Sequence, residues 1–123
     1  MKYEVGQSAS FSKTLTEADV VNFAGISGDF NPVHVNEIEA SKSRFGKRIC
    51  HGALVSSFIS TVLGMNLPGP GTIYLSQESK FVKPVYINDT VTAICTIVSI
   101  SEKGKAEINT IVKNQNDEIV IEG

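Results

Sequence analysis

The fold of this chain is decided by residues 52–65, GALVSSFISTVLGM, a helix-length apolar stretch near the middle of the sequence. It lies inside a longer segment, residues 49–77, that contains no Asp, Glu, Lys or Arg. A bilayer-spanning helix needs about 20 apolar residues, and this stretch is interrupted after Met65 by Asn66 and then by prolines and glycines. A helix so poor in charge is normally buried in its own domain. Residues 52–65 are therefore predicted to form a buried central helix.

The segments that flank this helix are predicted to form a sheet. A weak strand pattern precedes the helix at residues 8–14. Four later segments are rich in Ile, Val, Thr and Tyr, as strands are: 72–82, 90–100, 105–113 and 117–122. Gly104 and the run Asn114–Asp117 supply hairpin turns. The order predicts an α+β fold in which one antiparallel sheet wraps around one central helix.

A second helix is predicted between the first strand and the central helix. Thr16 and Asp19 have the spacing of a capping box, and we expect Gly25 and Gly28 to end the helix. Residues 26–36 are then predicted to form a loop, and residues 37–44 a short helix.

Composition limits the kind of protein this is. The 123 residues are predicted to form one domain, 1–123, and the net charge of −2 argues against bulk affinity for nucleic acid. Cys50 and Cys95 stand alone, without a CxxC or Cys/His cluster, which favours neither a disulfide framework nor a zinc site. We expect a cytoplasmic protein without a signal peptide, a membrane-spanning segment or a membrane partner.

The segment that carries chemistry is residues 28–34, GDFNPVH. It holds a carboxylate, Asp29, and an imidazole, His34, on a stretch stiffened by Pro32. Such a pair can activate water as a general base and return a proton as a general acid. The alternative interpretation is that Asp29 caps a turn and His34 lies at the surface.

The second histidine, His51, comes just before the central helix, whose first residue is Gly52. The Gly52 amide at a helix N-terminus can donate to an oxygen that gains negative charge. Alternatively, His51 satisfies a backbone group and Gly52 only permits tight packing. Asp29, His34 and His51 also have the composition of a metal site, but their spacing matches no metal signature, so no metal is predicted. Four basic residues suit either a phosphate-bearing ligand or a solvated helix end: Lys42, Arg44, Lys47 and Arg48.

Taken together, these residues resemble the MaoC-like hydratases, in particular the (R)-specific 2-enoyl-CoA hydratases. The matching motif comprises Phe23, Ile26, Ser27, Gly28, Asp29, Asn31, Pro32, Val33, His34 and Ala40. The His51-Gly52 pair also matches, as does a later pattern of Tyr74, Gln77, Phe81, Pro84, Asp89 and Val91. A family glycine in the late turn is replaced by Asn88.

The resemblance implies a hot-dog fold and the reversible hydration of a trans-2-enoyl-CoA to the (R)-3-hydroxyacyl-CoA, without a cofactor. It makes Asp29 and His34 the catalytic residues and the Gly52 amide the donor to the thioester carbonyl. Asn31 would orient the loop or the water, and Ser60 would contact the water or the acyl chain. Hot-dog subunits pair through their sheets, which implies a homodimer or a multiple of dimers.

Two alternatives remain open at this point. The first is a thioester hydrolase of the same fold, against which stands the lack of a carboxylate in residues 53–65. The second is a non-catalytic acyl-binding module, which would need neither Asp29 nor His34.

Overall fold

The computed structural model describes residues 3–123 and contains a five-stranded sheet packed on one long helix. In chain order the elements are β1 (Ser8–Thr14), α1 (Glu17–Ser27), α2 (Pro32–Val35), α3 (Glu37–Ser41), α4 (Gly52–Met65), β2 (Lys80–Phe81), β3 (Thr90–Ile100), β4 (Ala106–Lys113) and β5 (Ile119–Glu122). The strands lie in the order β1-β3-β4-β5-β2, and every neighbouring pair is antiparallel.

The uncharged stretch forms the central helix α4 over the predicted residues, 52–65. Val55, Ile59 and Val62 are buried on the face that packs against β1, β3 and β4. Opposite them, the sheet contributes Val91, Ala93, Cys95, Val112 and Val120 to the same core. Each buried Val, Leu or Ile side chain stabilises the fold by about 1.5–3 kcal/mol. Burial of this apolar face, rather than intrinsic helix propensity, therefore stabilises α4.

The capping box predicted for α1 is present. The Asp19 amide donates to Thr16 Oγ1 at 3.2 Å, and the Thr16 amide donates to Asp19 Oδ2 at 2.9 Å. The prediction that Gly25 ends the helix is wrong, since α1 continues to Ser27 and closes at Gly28, whose φ is +82°. Gly25 costs the helix only about 1 kcal/mol, which the complete burial of Ala24 next to it offsets.

The predicted loop over 26–36 is also partly wrong, because one helical turn, α2, forms within it. Asn31 caps this turn by accepting from the Val33 amide at 3.1 Å, and Pro32 occupies the first helical position. Proline is favoured there because that amide has no helical partner in any case. The helix that follows, α3, ends at Ser41 rather than at residue 44.

The strand predicted for residues 72–82 is the largest error. Only Lys80 and Phe81 pair, as β2 against Ile121 and Glu122 of β5. The partner strand β5 is four residues long, so the rest of the segment has no neighbouring strand among the described residues. The hairpin turns are where they were predicted, with Gly104 and Asp117 at positive φ. No helix within residues 3–123 is long and apolar enough to cross a membrane.

Candidate active site

Asp29 lies on the loop that follows the left-handed Gly28 and is exposed to solvent. Its Oδ1 accepts from the Asn31 amide at 3.1 Å, and its own amide donates to Ser27 Oγ at 3.2 Å. The turn-capping role that was the alternative for Asp29 is therefore real. It engages one carboxylate oxygen in a bond to a backbone amide, and it presents the side chain at the surface of the loop.

His34 lies on α2 and is only 8% exposed, so the alternative that placed it at the surface is wrong. Its Nδ1 is 2.8 Å from the carbonyl oxygen of Ile49. A carbonyl can only accept, so Nδ1 carries the proton of the neutral ring, and Nε2 keeps its lone pair. The hydrogen bond thus leaves Nε2 as the nitrogen that can accept a proton from water.

Arg48 holds the backbone at His34. Its Nε donates to the His34 carbonyl at 2.7 Å, and its Nη1 lies 2.6 Å from Glu17 Oε1 on α1. The side chain is only 9% exposed, so Arg48 does not belong to a solvated helix end. Sequence spacing gave no signal for this role, because Glu17 is 31 residues away and the tie exists only after folding.

His51 is buried beside this pair and is 2% exposed. Its Nε2 lies 2.9 Å from the main-chain carbonyl of Asp29, so it satisfies a backbone group. Its ring stacks on that of His34, with centroids 3.9 Å apart and planes inclined by 29°. His51 is also the residue that precedes α4, and its bond to Asp29 therefore brings the helix N-terminus next to the loop that carries Asp29.

Gly52 is the first residue of α4, and the His51 side chain makes no capping bond to that helix end. The first amides of a helix have no partner within it, and they give the N-terminus the positive potential that an oxyanion site requires. The alternative reading of Gly52 also has support. A Cβ placed there would lie 2.8 Å from Cε1 of Phe81, closer than packing tolerates. Gly52 therefore permits tight packing of the Phe81 ring.

Folding gathers Asp29, His34 and His51 so that one ligand atom from each lies within 4.8 Å of the others. Their spacing in the sequence did not indicate this proximity, and the three residue types suit a divalent metal. The same arrangement also suits a water held between the Asp29 carboxylate and the His34 imidazole, which can act as general base and general acid.

Of the two remaining predicted site residues, Asn31 contacts Asp29 directly, whereas Ser60 lies farther along α4. The Asn31 side-chain oxygen caps α2, so Asn31 orients the loop that carries Asp29 and His34. Ser60 is exposed on α4, eight residues after Gly52, which is about 12 Å along the helix axis. The structure therefore does not bring Ser60 to the water that Asp29 and His34 can hold.

A pocket of about 420 Å³ adjoins Gly52 on the side of Phe81 and Val85. Apolar side chains form much of its wall, among them Ile49, Val55, Val82 and Ile121, and two cations, Arg44 and Lys83, also line it. Asp29 and His34 do not line this pocket. Gly52 lines the pocket, and the residue before it, His51, contacts the Asp29 carbonyl, so the pocket lies next to the Asp29 loop at this point.

Comparison with known proteins identifies the family of this chain. The family described as MaoC like domain matches residues 2–120. The (R)-specific enoyl-CoA hydratase of Rhodospirillum rubrum is 48% identical over 96% of this chain and 82% of its own length. The 3-hydroxybutyryl-CoA dehydratase of Methylorubrum extorquens is 40% identical over 98% of this chain and 76% of its own. The chain therefore belongs to the MaoC-like family.

Comparison with solved structures gives a consistent result. The solved (R)-hydratase of A. caviae, described as involved in PHA biosynthesis, superposes with a TM-score of 0.95 and 38% sequence identity. The alignment covers 98% of this chain and 92% of that one. The predicted α+β hot-dog fold, with an antiparallel sheet wrapped around one central helix, is confirmed.

Proposed function

We propose that this protein is an (R)-specific enoyl-CoA hydratase, which adds water reversibly to a trans-2-enoyl-CoA to give the (R)-3-hydroxyacyl-CoA. The observation that carries the proposal is the meeting of Asp29 and His34 at the N-terminus of α4. The likeness to relatives with this activity covers nearly the whole chain. The enzyme is a hydro-lyase, and its chemistry uses only protein groups and water.

In the proposed reaction the thioester carbonyl accepts a hydrogen bond from the Gly52 amide. The oxygen of water bonds to C3, and negative charge builds up on the thioester oxygen as an enolate. The helix N-terminus stabilises this charge, and one such donor is worth about 3 kcal/mol in related oxyanion sites. Asp29 and His34 hold the water, one of them takes its proton, and a proton is delivered to C2 on the same face.

The pocket beside Gly52 supports binding of the carrier at this position. Its apolar lining suits the pantetheine arm and the thioester, while Arg44 and Lys83 supply positive charge for the phosphates of CoA. Lys83 forms an ion pair with Glu118, whereas the Arg44 guanidinium packs over the Phe45 ring, 4.8 Å from its centroid. Among Lys42, Arg44, Lys47 and Arg48, Arg44 alone lines this pocket, so it is the residue that we assign to phosphate. Ser60, farther along α4, is proposed to contact the acyl chain.

The hydrolase alternative is disfavoured because α4 carries no carboxylate, and the binding-module alternative leaves the Asp29–His34 pair without a use. An assay separates the three. A hydratase removes the conjugated enoyl absorbance and releases no thiol, whereas a hydrolase releases free thiol. A binding module gives a bound thioester that persists unchanged. Chiral analysis of the product should return the (R) enantiomer.

We propose a homodimer, or a multiple of dimers, as the assembly, and the cytoplasm as the compartment. The unpaired edges of the sheet support the first, because an exposed edge strand favours pairing with another chain. The two free cysteines, Cys50 and Cys95, support a reducing compartment.

Substitutions at the pair test the mechanism. Asp29→Asn and His34→Gln should each lower the rate of hydration by about a hundredfold or more, because each removes one partner of the proton transfer. Asp117→Asn is the matched control, since Asp117 is an exposed turn residue on another part of the chain. Circular dichroism should show all three variants folded. Hydration at the unmodified rate by either site variant would remove that residue from the mechanism.

A further inference from the structure

We propose that His51 is a positioning residue, which ties the Asp29 loop to the N-terminus of α4 and sets Asp29 against His34. This inference rests on the proposed function. The His51 side chain transfers no proton in the proposed reaction, but its position should affect the rate of turnover.

The first argument is the position of His51. It occupies the N-cap of α4, where Ser, Thr, Asp and Asn are preferred because their side chains accept from the first helical amides. His51 makes no such bond. Its Nε2 instead meets the carbonyl of Asp29, a residue 22 positions earlier in the chain. The side chain is therefore used to hold the loop, and the helix N-terminus is left uncapped for another acceptor.

The second argument is the protonation of the ring. The carbonyl of Asp29 can only accept, so Nε2 of His51 is the donor and carries the proton. Nδ1 is buried and has no hydrogen-bond partner within the described residues. His51 is thus held as a single tautomer whose one donor points at the catalytic loop.

The third argument is the contact with His34. The two rings stack at 3.9 Å, and the Phe23 ring packs against His51 at 4.9 Å. The Ile49 carbonyl holds one edge of His34, and the His51 ring supports its face. His51 therefore touches both members of the pair: Asp29 through its backbone and His34 through its ring. A shift of this one side chain would change the distance between them.

Two variants separate the hydrogen bond from the ring. His51→Phe keeps an aromatic ring beside His34 but has no donor for the Asp29 carbonyl. His51→Gln keeps an N–H donor of similar reach but lacks the ring. We expect His51→Phe to lower kcat about tenfold with little change in KM, because misplacing a reacting group by a fraction of an ångström slows the chemical step. His51→Gln should recover part of that loss.

Ile59→Val is the matched control, since Ile59 is fully buried in the core face of α4, about two turns after the helix N-terminus. If His51 had a merely structural role, the loss of kcat relative to the loss of thermal stability would be the same in His51→Phe as in the control. That result would overturn the proposal, and so would an unchanged kcat in a folded His51→Phe protein.

A spectroscopic measurement tests the bond without any turnover. The imidazole nitrogens of the unliganded protein, observed by ¹⁵N NMR, should show His51 protonated at Nε2, with a slowly exchanging proton. A ring protonated at Nδ1, or in rapid exchange with water, would contradict the assignment. If the wild-type protein shows this signal and hydrates no enoyl thioester, the proposed function fails while the structural tie stands.

Discussion

At the scale of single residues, Gly52 has two properties that a substitution can separate. Its amide lies at the free end of α4, and its α-carbon packs against the Phe81 ring. We predict that Gly52→Ala lowers both thermal stability and hydration, because the added methyl group meets Phe81 at 2.8 Å. The double variant Gly52→Ala/Phe81→Ala removes that clash and should regain stability, as measured by thermal unfolding.

Activity of the double variant then distinguishes the two readings of Gly52. If the glycine also lets a thioester carbonyl approach the helix end, hydration stays low after stability returns. Phe81→Ala alone is the reference for loss of the ring from the pocket, and hydration by the double variant is compared with hydration by this single variant. Full recovery of hydration in the double variant would mean that Gly52 serves only the packing of Phe81.

The two cysteines are predicted to be unreactive in the folded protein. Burial raises the pKa of the Cys50 thiol to about 12, with a smaller contribution from the charges of Asp89 and Asp19. Burial likewise raises the pKa of Cys95 to about 11. The thiolate is the nucleophile, so at pH 8 neither residue should be labelled by a thiol reagent in the native state. Both should be labelled in guanidinium, and rapid labelling of the native protein would contradict the burial described here.

At the scale of elements, the start of α1 depends on one carboxylate. The hydrogen bond from Lys13 and that from the Thr16 amide hold the pKa of Asp19 below its usual value of about 3.8. Asp19→Ala should therefore destabilise the protein by about 1 kcal/mol at pH 7, as for other capping residues. Because the folded pKa is lowered, this difference is present above pH 4 and is lost as the pH falls through the folded value.

Denaturation by urea at pH 7 and at pH 3 measures this difference. Glu102→Ala, in an exposed turn, is the control and should change stability by less than about 0.5 kcal/mol at either pH. A constant deficit for Asp19→Ala at both pH values would show that the ionised carboxylate does not stabilise the helix start.

Comparison of the predicted with the observed elements shows which sequence patterns were sufficient to predict a helix or a strand. The uncharged run predicted α4 over its full length, because the composition of one contiguous segment is enough to indicate a buried helix. The composition of 105–113 predicted a strand, and β4 forms there with Thr110 and Val112 buried. Residues 72–79 have strand composition yet remain outside the sheet, because a strand exists only where a partner pairs with it.

At the scale of the whole molecule, segment 72–79, which pairs with no strand, is an exposed apolar surface next to an open edge of the sheet. Ile73 is 79% exposed and Leu75 is 68% exposed, beside an edge of the sheet at β2. Apolar residues in a segment with strand composition and an open edge favour pairing with a second chain. This is the argument on which the proposed dimer depends.

We predict that Ile73→Lys/Leu75→Lys weakens the dimer and lowers hydration with it, because charged side chains on an edge oppose pairing. Sedimentation velocity over a range of concentrations measures the first effect, and the enoyl assay the second. Val98→Lys, an exposed position on the inner strand β3, is the control and should leave both unchanged. A fully active monomer of the unmodified protein would rule out the dimer as a requirement.

The sequence alone determined the class of fold and the identity of the candidate catalytic residues. A buried central helix, a meander of strands and the Asp29–His34 motif are all encoded in contiguous segments, which local composition and spacing can reveal. The turn at Asn88 is of this kind too, since asparagine tolerates the φ of +78° found there.

Only the tertiary structure decided how the site is supported. Arg48 reaches Glu17 across 31 residues, and His51 reaches Asp29 across 22. The Phe81 ring lies on Gly52 although 29 positions separate them. Such contacts follow from packing the helices against the sheet, and no local pattern specifies which distant side chain contacts a given backbone group. The sequence therefore indicates the candidate catalytic residues, and the packing of the chain determines which residues hold them in place.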